Sequence, residues 1–239
     1  METKNKFRRL YKGTNMEKIS CLVNRVDKIF CINLDKRPDR WKVALSEFNK
    51  VGLGSHVERY SAIEHEEGCI GCALSHYNII KKAKEEGYKN VLIFEDDVEF
   101  LRTDQFEDVV INAFSQLESL NIDYDMFYLG GNVKGNSNKR VDTNLVELDN
   151  VKCTHAYITS ESVYDNILNI IDAGDINNPW SWHGSNPARL NIDYSYATHI
   201  APVYNVYGVW PMLAKQAAGI SDLDGKYHDY KLDEKWAVL

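Results

Sequence analysis

Val91-Leu92-Ile93-Phe94 is an unbroken apolar run that stops against three adjacent carboxylates, Glu95-Asp96-Asp97, with Glu99 two positions further on. A run this short, rich in branched residues and without polar alternation fits a strand covered on both faces. Covering both faces takes helices, which points to an α/β architecture. In open α/β sheets ligands gather just beyond the carboxyl ends of such strands. Adjacent acids repel one another and call for something positive. An all-oxygen cluster suits a hard cation, Mn²⁺ or Mg²⁺, better than zinc or copper. The other reading is a solvated turn or a cap for the next helix, and the surrounding sequence has to choose between them.

Charge narrows the partners. Lys+Arg total 28 against Asp+Glu 35, a net charge of −7, which argues against a nucleic-acid binder. No apolar run reaches the length of a membrane span, and the start METKNKFRRLYKG has no signal-peptide core. That basic start reads as a frayed tail, with attachment to an acidic membrane surface as the alternative. The five cysteines, Cys21, Cys31, Cys69, Cys72 and Cys153, are an odd number without a secretory signal. They are expected to be reduced thiols of a cytoplasmic protein. Cys69-x-x-Cys72 has metal or redox spacing, but no second such pair completes a zinc site, so all five are read as small buried hydrophobes.

Along the chain, Ile29–Leu34 reads as a buried strand, then a polar turn holds Asp35, Arg37, Asp39 and Arg40. Pro38 opens a helix carrying Trp41, Leu45 and Phe48, stopped at Gly52. Strand, polar turn and helix form the first half of a βαβ unit. Its arginines either meet a phosphate or pair with Asp35 and Asp39. Val57–Ile63 is a candidate second strand. A helix from about Gly71 to Glu86 places Cys72, Ser75, His76, Ile79, Ile80 and Ala83 on one face. Beyond the acidic strand, Thr103 or Asp104 is expected to cap a helix with Phe106, Val109, Val110, Ala113 and Leu117 on its apolar stripe. A strand over 125–131 ends in Gly130-Gly131, which either admits a ligand to the backbone or turns the chain. Residues 145–148 and 152–159 read as strands, and Ser160 as the cap of a further helix. The irregular stretch 174–190 contains Trp180, Trp182 and His183, candidates for the acceptor side. Val203–Trp210 reads as a strand ended by Pro211. The organisation expected is a tail over 1–25, one domain over 26–225 and a C-terminal tail over 226–239.

Three blocks, Ile32-Asn33-Leu34-Asp35-Lys36-Arg37-Pro38-Asp39-Arg40, Gly71-Cys72-Ala73-Leu74-Ser75-His76 and Leu92-Ile93-Phe94-Glu95-Asp96-Asp97-Val98, resemble in order and spacing those of glycosyltransferase family 25. Looser matches are 125–131, 154–159, 191–193 and 216–222. The resemblance covers roughly residues 28–223; nothing in it corresponds to 174–190. It implies a GT-A-like single domain, with a nucleotide-binding α/β half followed by a mixed acceptor-binding half. It also implies a UDP-sugar donor, often UDP-galactose, a divalent metal and transfer with inversion. The acceptor would be a hydroxyl of a glycan, a glycolipid or a protein, as in lipopolysaccharide and other surface-glycan synthesis, in the cytoplasm or peripheral to a membrane.

On this reading Asp97, with Asp96, holds the metal, Asp96 also reaches the donor, and Glu95 is structural. Asn33, Leu34, Arg37 and Arg40 line the donor pocket, and Ser75 and His76 lie close to it. Inversion needs a base for the acceptor hydroxyl, first Asp193 and then Asp222; an aspartate capping a helix or turn is the other role for both. His183, His199 and Asp222 are candidates for a third metal ligand. Two rival functions stay open: a nucleotide-sugar-binding protein without turnover, and a nucleotidyltransferase, for which no Gly-rich basic phosphate loop is present.

Overall fold

The computed structural model describes residues 20–133, 138–172 and 192–229. β1 (Lys28–Asn33) leads through the polar turn into α1 (Pro38–Lys50), with Pro38 in its first turn. Gly52, at φ 75°, takes the left-handed conformation that lets the chain leave the helix. β2 (Val57–Ser61), α2 (Gly68–Glu85) and β3 (Asn90–Glu95) follow. β1 pairs in parallel with both strands, Ile29 standing against Val57 on one side and Leu92 on the other.

After β3 the sheet becomes mixed. β4 (Val98–Phe100), α3 (Phe106–Leu120) and β5 (Met126–Val133) precede β6 (Lys139–Asp142), β7 (Leu145–Glu147), β8 (Val151–Ser160) and α4 (Glu161–Asp172). The later described residues form α5 (Ile192–Ser195), a π turn over Tyr196–Ile200, β9 (Val206–Val209) and β10 (Ala214–Gln216). They close with the hairpin of β11 (Gly219–Ile220) and β12 (Tyr227–His228). The main sheet runs β2-β1-β3-β8-β5-β9-β7-β6. β8 is antiparallel to both β3 and β5, while β9 is parallel to β5. β10 joins β4 to β5 beside this path. An α/β first half followed by a mixed second half is the architecture expected from the sequence.

The pleat explains why the β3 run is apolar throughout. Leu92 and Phe94 face a core with Ala44 and Phe48 of α1 and Val110 and Phe114 of α3. Val91 and Ile93 face the opposite core, with Ile79 and Ile80 of α2 and Val163 and Ile167 of α4. Successive side chains thus enter different cores, and neither face tolerates a polar residue. On the first face an aromatic row runs from Phe48 to Phe94 at 5.0 Å, to Phe100 at 5.7 Å and on to Phe106 at 5.3 Å between ring centroids. Buried Glu47 accepts the Phe100 amide at 3.1 Å. This packing fixes β4, and with it the acidic turn between β3 and β4.

Several local expectations change. The residue preceding α3 is Gln105, and no side chain caps the helix, so neither Thr103 nor Asp104 does. β2 stops at Ser61 because the Ile63 amide donates to Ser75 Oγ at 2.8 Å. The strand expected from Val203 begins at Val206, since the Val203 and Tyr204 amides both donate to the Ile200 carbonyl in a turn that follows the π turn. Gly130 and Gly131 lie inside β5 and do not turn the chain. A Cβ on Gly130 would lie 2.3 Å from the Ala214 carbonyl oxygen, and one on Gly131 would lie 2.4 Å from the Val151 side chain. Their missing side chains let β10 and β8 close on β5. No helix among the described residues is long and apolar enough to cross a membrane.

Candidate functional site

Asp96 and Asp97 turn inward. Their side chains are 11% and 21% exposed and line a cleft of about 750 Å³, measured to its open mouth. Asn33, the last residue of β1, is buried and holds the turn from below. Its Nδ2 donates to Asp96 Oδ2 at 2.6 Å and to the Arg37 carbonyl at 3.0 Å, while Oδ1 accepts from Arg59 Nε at 2.7 Å. With both ends of its amide engaged, Asn33 positions Asp96. Leu34 lines the cleft wall.

Arg40, in the first turn of α1, spans the acids. Its Nη2 is 2.6 Å from Asp96 Oδ1 and 3.1 Å from Asp97 Oδ2, and its Nη1 is 3.2 Å from Asp222 Oδ2. Arg37 also binds Asp222, and pairs with Asp39 at 3.0 Å. Asp35 is taken by Arg59 at 2.6 Å. Of the two roles open to the arginines, Arg37 thus combines a surface pair with a contact at the cleft, and Arg40 is the guanidinium that reaches Asp96 and Asp97. Asp222 arrives from far along the chain because Gly68 has no side chain. A Cβ there would lie 2.6 Å from the Asp222 carbonyl oxygen and from Leu223 Cα.

Three adjacent carboxylates in one buried corner respond differently. Burial, and then the charge of Glu95, push Asp97 up to about 7, against the pull of Arg40. Asp96 is also raised by burial, with Arg40 and Asn33 opposing. For Glu95 burial is outweighed by His76 and Thr154, and it is held below the ordinary glutamate value. Asp97 is therefore the acid whose charge is least compensated by the protein.

Asp97 Oδ1 and Gln216 Oε1 are both buried without a hydrogen-bond partner. Gln216 Nε2 donates to Asp97 Oδ2 at 3.3 Å, so the two side chains meet. Orphaned carboxylate and amide oxygens are the donors that a hard divalent cation takes. Asp97 and Gln216, with Asp96 alongside, could hold one, and its charge would take over part of what Arg40 neutralises. Sequence reasoning did not single out the Gln216 side chain. It reaches the site because β10 pairs with β4, Gln216 opposite Val98, and the Ala217 amide donates to the Asp97 carbonyl at 2.7 Å. No local sequence signal announces a contact between positions 97 and 216.

The other side of the β3 tip is different. Glu95 accepts from Thr154 Oγ1 at 2.7 Å and lies 3.4 Å from His76 Nε2. His76 is fully buried behind the cleft wall, its Nδ1 2.8 Å from the Tyr157 hydroxyl. Ser75 lines the cleft, but its hydroxyl ties α2 to the preceding loop, donating to the Gly71 carbonyl at 2.7 Å and accepting the Ile63 amide.

A second cavity of about 600 Å³ adjoins the cleft, sharing Cys72, Glu95, Gln216 and Leu223 with it and adding Cys69, Cys153, Thr154 and Asp193. Asp193 is fixed there by the Cys153 amide at 3.0 Å and the Tyr194 amide at 2.6 Å. Asp193 and Asp222 thus sit on different sides of the same corner, one held by amides and the other by guanidiniums. His199 is exposed on the π turn and is not among the residues lining either cavity. Trp180, Trp182 and His183 lie outside the described residues.

Comparison with known proteins agrees with the sequence motifs. Residues 59–171 match the family model described as glycosyltransferase family 25 (LPS biosynthesis protein). A "Glycosyltransferase 25 family member" of Drosophila pseudoobscura pseudoobscura is 30% identical over 133 residues, 44% of this chain and 20% of that protein. Two human proteins are each 28% identical over 130 residues, 44% of this chain. They are named "Procollagen galactosyltransferase 2", covered to 20% of its length, and "Inactive glycosyltransferase 25 family member 3", covered to 22%. The chain therefore spans about a fifth of the length of these curated relatives. A solved glycosyltransferase involved in glycosylation of the major capsid of PBCV-1 aligns with 73% of this chain and 76% of its own, at TM-score 0.44 and 14% identity.

Proposed function

We propose, with the glycosyltransferase family 25 match over residues 59–171 as premise, that this chain binds a UDP-sugar together with Mn²⁺ or Mg²⁺ in the cleft at the β3 tip. It then transfers the sugar, in the first instance galactose, with inversion to a hydroxyl of a glycan, glycolipid or protein. A surface-glycan or lipopolysaccharide precursor handled in the cytoplasm or beside a membrane fits that chemistry. The observation carrying the reading is the pair of orphaned buried oxygens, Asp97 Oδ1 and Gln216 Oε1, in a cleft lined by Arg40, with Arg37 reaching its edge through Asp222.

A bound cation would supply Lewis-acid stabilisation of the charge left on the departing diphosphate. Arg37 and Arg40 lie beside the same corner, and a guanidinium fork suits phosphate oxygens. Asn33 keeps Asp96 in place, and Leu34 offers an apolar wall for the nucleoside. For the acceptor proton the favoured base is Asp193. It lines the adjoining cavity, and two backbone amides fix its direction. Asp222, bound by Arg37 and Arg40, is better placed to hold those arginines.

The test is a panel of UDP-sugars with and without Mn²⁺, followed for UDP release and sugar binding. Mn²⁺-dependent release is expected, and Asp97→Ala should abolish Mn²⁺-dependent binding. Unchanged binding in that variant removes Asp97 from the metal site. The second reading is a nucleotide-sugar-binding protein without turnover. It draws on Arg40 lying across both aspartates and on the human relative named inactive. Binding of the sugar nucleotide without any UDP release selects it.

A further inference from the structure

We infer that Cys72, His76 and Glu95 form a binding site for a borderline divalent cation of the zinc type, distinct from the oxygen-lined corner at Asp97. The inference is independent of the sugar-transfer reading. One ligand atom from each of the three residues lies within 4.8 Å of the others. Thiolate, imidazole and carboxylate together are the donor set that zinc prefers and that Mn²⁺ and Mg²⁺ do not.

The histidine is the telling member. Its Nε2 is fully buried, has no hydrogen-bond partner, and points at this cluster. Its other nitrogen, Nδ1, lies 2.8 Å from the Tyr157 hydroxyl, which continues to the Tyr196 hydroxyl at 3.3 Å. A proton on Nδ1 donated to Tyr157 leaves the Nε2 lone pair free for a metal, the arrangement that metal-ligating histidines use. Thr154 holds the carboxylate as well, its hydroxyl donating to Glu95 Oε1, the oxygen that faces His76, at 2.7 Å. Both ligands therefore already have the outer partners that such a site needs.

Distances and charge agree. His76 Nε2 and Glu95 Oε1 are 3.4 Å apart. Ligands about 2.1 Å from a tetrahedral ion are separated by roughly 3.4 Å. Cys72 supplies the sulfur, which lies within 4.8 Å of the other two ligand atoms. Its thiol proton goes to solvent as the sulfur binds, and thiolate plus carboxylate then neutralise a dication in a buried place. The fourth position would face the cavity lined by Cys69, Cys153 and Asp193. The competing arrangement is an ordinary His76–Glu95 ion pair with Cys72 as a bystander.

Cobalt(II) titration of the full chain, stripped of metal by chelation, separates the two. One equivalent of cobalt, displaced by zinc, should give a thiolate-to-cobalt charge-transfer band and the intense visible bands of a four-coordinate ion. Cys72→Ser should lose the charge-transfer band and weaken binding at least tenfold, whereas Asp97→Ala should keep both. X-ray absorption on the zinc-loaded wild type should find at least one sulfur neighbour, and needs no variant to fold. No charge-transfer band in the wild type, its survival in Cys72→Ser, or a shell without sulfur overturns the proposal. Failure of Mn²⁺-dependent UDP-sugar binding leaves it standing, because the two sites share no metal-binding side chain.

Discussion

The two sides of the β3 tip are built from consecutive residues and do opposite things with buried charge. Glu95 continues the face of Ile93 and meets His76, Cys72 and Thr154. Asp96 and Asp97 lie beyond the last strand residue and meet Asn33, Arg40 and Gln216. Inside the strand the pleat chooses the surroundings of a side chain; past its end the turn does. The electrostatic result follows. Glu95 is lowered despite burial because its partners outweigh desolvation, and Asp97 is raised because its partners do not. On one side the protein compensates a carboxylate with its own groups. On the other it leaves the carboxylate waiting for charge from outside, and the oxygen donors there suit a harder cation than the thiol and imidazole beside Glu95 do.

That contrast can be broken. The largest effect is expected at Asp193, which borders both sides through the shared cavity. Asp193→Asn should spare UDP-sugar binding and reduce transfer by about 10²–10⁴-fold, the usual contribution of a general base. Steady-state kinetics beside calorimetric binding checks it, and full activity hands the base role elsewhere. Arg40→Ala tests how far the oxygen-lined corner depends on one cation. It leaves Asp96 and Asp97 without their shared guanidinium and should cost about 3 kcal/mol of stability in chelator. Mn²⁺ should restore part of that loss, and urea unfolding with and without Mn²⁺ measures it.

Asp97→Asn sharpens the comparison through pH. The Asp97 carboxyl is raised from 3.8 to about 7 in the folded protein, so the native state holds a proton that the unfolded chain gives up. That contribution is fully present below about pH 4 and is lost as pH rises through 7. In chelator at pH 8 the Asn variant should therefore be the more stable by about 2 kcal/mol, less than the full shift because solvent still reaches the side chain. The gap should close towards pH 4. A wild type whose stability stays flat across that window contradicts the assignment. The smallest effect belongs to the Glu95 side. Tyr157→Phe removes the partner of His76 Nδ1 and should weaken cobalt binding about tenfold, while Mn²⁺-dependent UDP-sugar binding stays unchanged.

Much of the first half was legible. The apolar run at Val91–Phe94, Pro38 at the start of α1 and the one-faced pattern of Cys72, Ile79, Ile80 and Ala83 are local signals, and the structure follows them. A glycine pair such as Gly130-Gly131 says only that something comes close. Here it is the Ala214 carbonyl and the Val151 side chain, both distant in sequence. Cys72 and His76 lie on one helical face, but the sequence alone did not supply Glu95 as the third member of their group. The approach of Cys72 to His76 and Glu95 is likewise set by the tertiary structure.

What the sequence determined by itself was the alternation of strand and helix, the covered β3 run and the carboxylates at its end, since these depend on periodicity over a few residues. Only the tertiary structure decided which carboxylate meets an imidazole and which meets an arginine. Only it brought Gln216 and Asp222 back over the turn. Those contacts come from β10 pairing with β4 and from the close approach at Gly68. A strand pairing closes a loop of more than a hundred residues through backbone hydrogen bonds that look alike for many side chains, so its register leaves little trace in local sequence.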